Sequence, residues 1–302
     1  MSRVLVTGAS GFIGRPAVKA LLARGHEVHA TCRRAAPGDD DVTWHVTDLL
    51  RSGGAKALVR DARATHLLHL AWCTAPGSFW TASENIDWIT ATLELLRAFG
   101  AAGGSRAVVA GSCAEYRWGN ETLHEERTPQ RPATLYGASK LATRVAAGAL
   151  CAQQGLQLAW GRIFHLYGPG EDPGRLVAAV ARGLLRGERV ATSAGLQVRD
   201  FLHVDDVAGA LVALLDSDVA GTVNVASGDG VAVRDVVEQI ALAAGGLDRV
   251  DFGARELPVS EPERIVADVA RLRREVGYSP AIPLREGIAG TVEWWRERLA
   301  EV

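Results

Sequence analysis

The chain has 302 residues, of which 48% are apolar and 23% charged, with a formal net charge of −2. That length suits one large domain or a large domain with a smaller lobe. The composition is ordinary for a soluble globular protein, and so balanced a charge excludes neither fold nor ligand but argues against nucleic acid or a membrane surface as partner.

The first residues run straight into a buried-strand pattern, with no basic n-region, long apolar run or cleavage site, and no segment of transmembrane length follows. Cys32, Cys73, Cys113 and Cys151 are far apart and show no metal-binding spacing. Free thiols, no metal and a cytoplasmic location are therefore expected.

Short Val/Leu-rich runs alternate with helical patterns through the first half, which predicts βαβ units and a parallel sheet. Strands are predicted at Arg3–Thr7, His26–Thr31, Val42–Val46, His66–Leu70, Arg106–Ser112 and Leu156–Ile163. Helices are predicted at Phe12–Ala23, Ala55–Asp61, Ser83–Ala102 and Ala133–Gln154. The last two are apolar on more than one side, so each is expected to bury one face on the sheet and another on a second copy of the chain. After Gly168-Pro-Gly the alternation loosens into helices at Arg175–Arg186, to Asp216 and at Val233–Ala244, a strand at Thr222–Val225, and an amphipathic final helix.

Thr7-Gly-Ala-Ser-Gly-Phe-Ile-Gly14 falls where the first strand turns into the first helix. Gly8 permits a tight turn, Gly11 lets backbone N–H groups approach a pyrophosphate, and Gly14 lets the helix pack on the strand. Three glycines alone would be a turn; after an N-terminal strand and before a helix they predict a dinucleotide site. The contacts expected there come from Thr7, Gly8, Ser10, Gly11, Phe12, Ile13 and Gly14.

An NAD site of this kind places an acid at the end of the second strand, on the ribose 2′-hydroxyl. This strand ends Val28-His-Ala-Thr-Cys-Arg-Arg34, without an acid. Arg33 and Arg34 stand where a 2′-phosphate would lie, so NADP(H) is favoured and NAD(H) remains open. The bland alternative is a solvated basic turn balanced by Asp39, Asp40 and Asp41. Asp48, after the third strand, suits the adenine amino group or a helix N-cap.

Tyr136 and Lys140 lie four residues apart in a predicted helix and so share one face. A nearby ammonium favours the phenolate and lowers the phenol pKa, which suits proton exchange with an alcohol or ketone.

With these motifs in this order, the chain resembles an extended short-chain dehydrogenase/reductase of the NAD-dependent epimerase/dehydratase group. The resemblance covers nearly the whole chain and implies an α/β fold: a Rossmann-type doubly wound parallel sheet at 1–165, with part of 190–225 returning to it, and a smaller mixed substrate lobe at 166–302. It implies that Asn85 is structural and that Ser112, Tyr136 and Lys140 are catalytic. Leu49, Leu70, Ala71, Trp72, Ile163 and His165 complete the expected cofactor contacts, and Arg199, in Val198–Asp206, is expected to grip a substrate diphosphate. The implied partner is a nucleoside-diphosphate sugar, and the implied assembly a homodimer.

Departures from the family pattern narrow the expected chemistry. Sugar dehydratases carry an acidic pair directly after the catalytic serine or threonine, where this chain has Cys113 and Ala114. Glu115 is one place later and is expected to be turned away. Cys113, one place out of step with reductases that epimerise through a thiol, is expected to line the substrate site as a small buried residue, with a catalytic thiol the disfavoured alternative. His165 replaces a frequent asparagine and suits either a sugar contact or a loop support. No second phosphate-binding arginine segment is recognisable around Leu257–Glu263, which leaves Arg255 or Arg264 as substitutes.

Trp72, Trp80 and Trp118 fall in loops near the strand ends, as ligand platforms or as packing. Trp294 and Trp295 are expected in the core. The expected activity is reduction of a 4-keto-6-deoxy sugar nucleotide. The alternatives are a 4-epimerase with tightly held NAD, a reductase of a non-sugar ketone, or a non-catalytic dinucleotide sensor.

Overall fold

A computed structural model describes residues 1–34, 40–119, 121–258 and 261–300. Of the acidic residues weighed against Arg33 and Arg34, Asp39 lies outside the described residues.

The first half builds β1 (Arg3–Thr7), α1 (Gly14–Ala23), β2 (Glu27–Cys32), β3 (Val42–Val46), α2 (Gly54–Ala62) and β4 (His66–His69). Then come α3 (Glu84–Ala101), β5 (Arg106–Ser112), α4 (Leu135–Gln154) and β6 (Gln157–Ile163). Predicted and observed boundaries agree within two residues, because the apolar runs that set the periodicity are the ones that become buried. Strand β5 is buried at all seven positions, as a central parallel strand covered on both faces must be.

The chain continues through β7 (His165–Tyr167), α5 (Leu176–Leu185), β8 (Val190–Thr192), β9 (Val198–His203), α6 (Val204–Asp216) and β10 (Gly221–Val225). It ends with β11 (Gly230–Ala232), α7 (Val233–Ala244), β12 (Val250–Phe252), β13 (Arg264–Ile265), α8 (Ala270–Arg274) and α9 (Leu284–Ala300).

Seven strands form one parallel sheet in the order β10-β6-β5-β4-β1-β2-β3. The order reverses between β1 and β4, and in open α/β sheets ligands bind beyond the carboxyl ends of the strands at such a point. Helices α1 and α6 cover one face, with Val18, Leu21, Leu211 and Leu215 in its core. On the other face α2, α3 and α4 bury Leu58, Leu95, Phe99 and Cys151.

A second sheet, β11-β9-β13 with β7 on β9, stands over the strand ends. Helices α5, α7 and α9 pack around their own core, which includes Ala181, Ile240, Val292 and Trp295. Trp295 is buried as expected, while Trp294 is only partly so. Among the described residues no helix is long and apolar enough to cross a membrane.

Candidate active site

The glycine loop has the shape its sequence asks for. Gly8 takes φ +71°, and a Cβ there would lie 2.8 Å from the Ala71 nitrogen; at Gly14 a Cβ would come within 2.1 Å of the Gly8 oxygen. Both positions therefore require glycine, and the strand–turn–helix cradle fits a dinucleotide pyrophosphate. Gly11 N–H donates back to the Gly8 carbonyl at 3.0 Å and closes the turn. Ser10 is exposed, with its carbonyl held by Arg15 Nε at 3.1 Å, while Phe12 and Ile13 are half-buried.

Thr7 is fully buried and its Oγ1 lies 2.6 Å from His69 Nδ1; His69 Nε2 in turn meets Thr92 Oγ1 at 2.9 Å. This polar chain ties β1 and β4 to α3 beneath the cradle. Burial drives His69 down to about 3, so it stays neutral.

Arg33 and Arg34 follow β2 and are exposed. Asp48 accepts from Leu50 N–H at 3.1 Å and lies 3.8 Å from Arg51 Nε. It closes a local turn and does not cap α2, which starts at Gly54 after Gly53. Leu49 is buried beneath that turn.

A cleft of about 800 Å³ opens where the two sheets meet. It is lined by Ile13, Leu70, Trp72, Trp80, Ser112, Cys113, Tyr136, Lys140, Ile163, His165 and Arg199, so most of the sequence-predicted site residues converge there. Ala71, next to Trp72, is half-buried against Gly8. Trp118 is not among the lining residues: its indole N–H donates to the Cys113 carbonyl at 2.9 Å and its ring meets Trp80 edge-on at 6.2 Å. It backs the platform and does not form it.

Tyr136 and Lys140 stand in the first two turns of α4. Thr134 caps that helix by accepting from Gly137 N–H at 3.1 Å, and the Tyr136 amide is held by the Trp80 carbonyl at 3.1 Å. The Tyr136 ring packs edge-on against Phe79 at 4.9 Å and Trp80 at 5.7 Å.

Lys140 Nζ donates to the Ala110 carbonyl at 2.8 Å and rests 3.8 Å from the Trp72 ring centroid, but lies 6.0 Å from the Tyr136 ring. Burial lowers Lys140 to about 7. The expectation of a lowered phenol pKa is reversed here: burial pushes Tyr136 up, with the Ser112 hydroxyl countering part of the shift. The physical reason is burial: taking the phenolate out of water costs more than neighbouring groups return, and the Lys140 ammonium is turned toward the Ala110 carbonyl and the Trp72 face.

The acid near the site is accounted for. Glu115 is fully buried in the short turn Cys113–Glu115 and accepts from Ser112 N–H at 2.9 Å, Trp160 Nε1 at 2.8 Å and Arg162 Nε at 2.8 Å. Its carboxylate faces the sheet, as the one-residue displacement implied. Cys113 is 8% exposed and burial pushes its thiol up to about 12, which leaves it protonated and unreactive.

His165 lines the cleft near Arg199 and Arg175. Burial and those two cations bring it to about 3, and its Nδ1 has no hydrogen-bond partner. Arg255 also lines the cleft, whereas Arg264 does not.

Sequence reasoning passed over three groups. Phe79 packs on Tyr136. Glu171, 5% exposed, accepts from Ala178 N–H at 3.3 Å and is raised by burial to about 8. Arg175 donates to the Thr74 carbonyl at 3.3 Å and stacks 5.2 Å over Phe79. Only the Gly168-Pro-Gly turn just before Glu171 could have drawn attention to it.

A parallel doubly wound sheet, a glycine cradle at its first turn and a Ser/Tyr/Lys cluster beyond the strand ends define a dinucleotide-dependent enzyme of the oxidoreductase type. Residues 4–226 match the model of the "NAD dependent epimerase/dehydratase family", and the chain belongs to that family. Among similar proteins, GDP-6-deoxy-D-mannose reductase of Pseudomonas aeruginosa is 31% identical over an alignment of 320 positions that spans 99% of each chain. UDP-glucose 4-epimerase of Corynebacterium glutamicum is 29% identical over an alignment of 307 positions that spans 92% of this chain and 91% of that one. A similar solved structure, MoeE5 in complex with UDP-glucuronic acid and NAD, is 31% identical with TM-score 0.86, covering 98% of this chain and 99% of its own. The similar proteins thus include nucleotide-sugar epimerases and a reductase, and the NAD-bound neighbour supports a nicotinamide dinucleotide as cofactor.

Proposed function

We propose that the protein is an NADP(H)-dependent reductase of a keto sugar nucleotide, of the 4-keto-6-deoxy type. The observation that carries this reading is that Ser112, Tyr136 and Lys140 line one cleft, while Glu115, three residues after Ser112, is held in a buried ion pair with Arg162. A reduced dinucleotide, with its pyrophosphate held by the Gly8–Gly14 loop, would supply the hydride that a ketone carbon accepts.

Tyr136, a phenol that holds its proton at neutral pH, gives that proton to the carbonyl oxygen as the alkoxide develops. Ser112 donates to the same oxygen and stabilises the charge that develops there. Lys140 supports the nicotinamide ribose, and Trp72, Trp80 and Phe79 exclude water from the reacting atoms. Arg199 takes the diphosphate. Dehydration is disfavoured because it needs an acid facing the sugar, and Glu115 faces the sheet. Arg33 and Arg34 favour a 2′-phosphate.

The test is to mix the purified protein with NADPH or NADH and a set of 4-keto-6-deoxy sugar nucleotides, following loss of reduced-nicotinamide absorbance. Oxidation of NADPH with formation of the hydroxyl product is expected. Tyr136→Phe should lower turnover by roughly 10²–10⁴-fold while still binding the dinucleotide. The family's epimerases support a second reading on the same residues. Co-purifying NAD, with interconversion of C4 epimers and no net NADPH oxidation, would establish it instead.

A further inference from the structure

The far end of the cleft, around Thr192, Ser193, Arg199, Arg255 and Glu261, holds a charge arrangement that the proposed reading does not explain. The Arg199 side chain is 4% exposed; its Nη1 donates to the Val198 carbonyl at 2.9 Å, and its Nη2 is ion-paired with the Glu261 carboxylate. The segment in which a second phosphate-binding arginine was sought therefore delivers an acid to the first one.

Glu261 is built into this position. The Val198 amide donates to the Glu263 carbonyl at 2.8 Å, and β13 continues in register with Arg264 opposite Val198 and Ile265 opposite Arg199. A guanidinium buried this far needs a counter-charge, and a carboxylate meets an arginine with the same geometry that a phosphate uses.

We infer that Glu261 competes with the substrate's diphosphate for Arg199 and so sets how tightly that diphosphate is held. This rests on the reading of Arg199 as the diphosphate-binding group. A diphosphate reaching Arg199 must displace the carboxylate or bind beside it against like-charge repulsion. The nucleotide handle is thereby held more loosely than a bare arginine would hold it, and the product leaves the more readily. Because Glu261 is 35% exposed, water can receive the displaced carboxylate.

The probe is UDP, with uridine as the control that lacks phosphate, titrated calorimetrically into the full-length protein and into Glu261→Gln, Glu261→Asp and Arg199→Gln. Far-UV circular dichroism and dinucleotide binding verify that each variant is folded. Glu261→Gln should bind UDP about 5- to 20-fold more tightly than the wild type, Glu261→Asp should stay near it, and uridine should be insensitive to all three changes. A support lost through damage would weaken binding, so a gain separates competition from a structural role. UDP binding in Glu261→Gln equal to or weaker than in the wild type, with Arg199→Gln still impaired, overturns the inference alone. Unimpaired UDP binding in Arg199→Gln overturns the diphosphate reading of Arg199, and the inference with it.

Discussion

Asn85 Oδ1 accepts the indole N–H of Trp72 at 2.8 Å, so a residue in the first turn of α3 fixes the ring on which the Lys140 ammonium rests. The same side chain donates from Nδ2 to the Phe79 and Ala82 carbonyls, each at 2.8 Å. One fully buried amide thus holds both ends of the loop that follows β4.

Replacing it with alanine strands an indole N–H and two carbonyls. Each buried polar group left unpaired costs about 1–3 kcal/mol. Asn85→Ala should lower stability by about 3 kcal/mol in urea titration and also reduce turnover, since Lys140 and Tyr136 both lean on that loop. Full activity in a folded variant would contradict this role.

Glu115 gives a second, opposite kind of prediction. It joins Ser112 N–H, Trp160 and Arg162, and the Arg162 guanidinium also covers the Tyr116 ring at 4.2 Å. Breaking one half of such a buried pair costs about 3–5 kcal/mol. Glu115→Gln should therefore unfold at distinctly lower denaturant. A catalytic acid would behave otherwise, with activity lost and stability kept.

Glu171 makes stability depend on pH. Burial raises its carboxyl from an ordinary 4.5 to about 8, so between those values the folded chain holds a proton that the unfolded chain has released. Stability from this group therefore falls as pH rises from 4.5 to 8. Glu171→Gln removes the titration. Compared with the wild type, the variant should gain stability across that window, by a few kcal/mol in chemical denaturation at pH 8 relative to pH 5. A difference independent of pH would show that Glu171 stays ionised when folded.

Cofactor choice can be read from Arg33 and Arg34. A charge-assisted contact to phosphate contributes about 1.5–3 kcal/mol, so exchanging both for serine should weaken NADPH binding by at least tenfold and leave NADH nearly unchanged. Equal losses for both dinucleotides would assign the arginines to general electrostatics.

The fold was legible because its signals are local. The apolar runs of β1, β5 and β6 and the glycines of Thr7–Gly14 each carry their own geometry, and Tyr136 and Lys140 need only helical spacing to share a face. What the sequence hid was long-range. That Lys140 would rest on Trp72, that Trp118 would stand behind Trp80, and that Glu261 would reach Arg199 all depend on contacts between segments far apart in the chain. The direction of the Tyr136 shift was misjudged for a related reason: spacing reports the neighbouring charge and is silent about burial, and burial dominates here.

Arg175 ties α5 to the loop that follows β4. It stands at the start of α5, yet its guanidinium reaches the Thr74 carbonyl and the Phe79 face, and the edge-on contact of Phe79 with Tyr136 lies next in line. A shift of α5 is therefore passed to the phenol through two side-chain contacts, without passing along the backbone. The seating of α5 and the orientation of the Tyr136 ring are joined by that one chain of contacts.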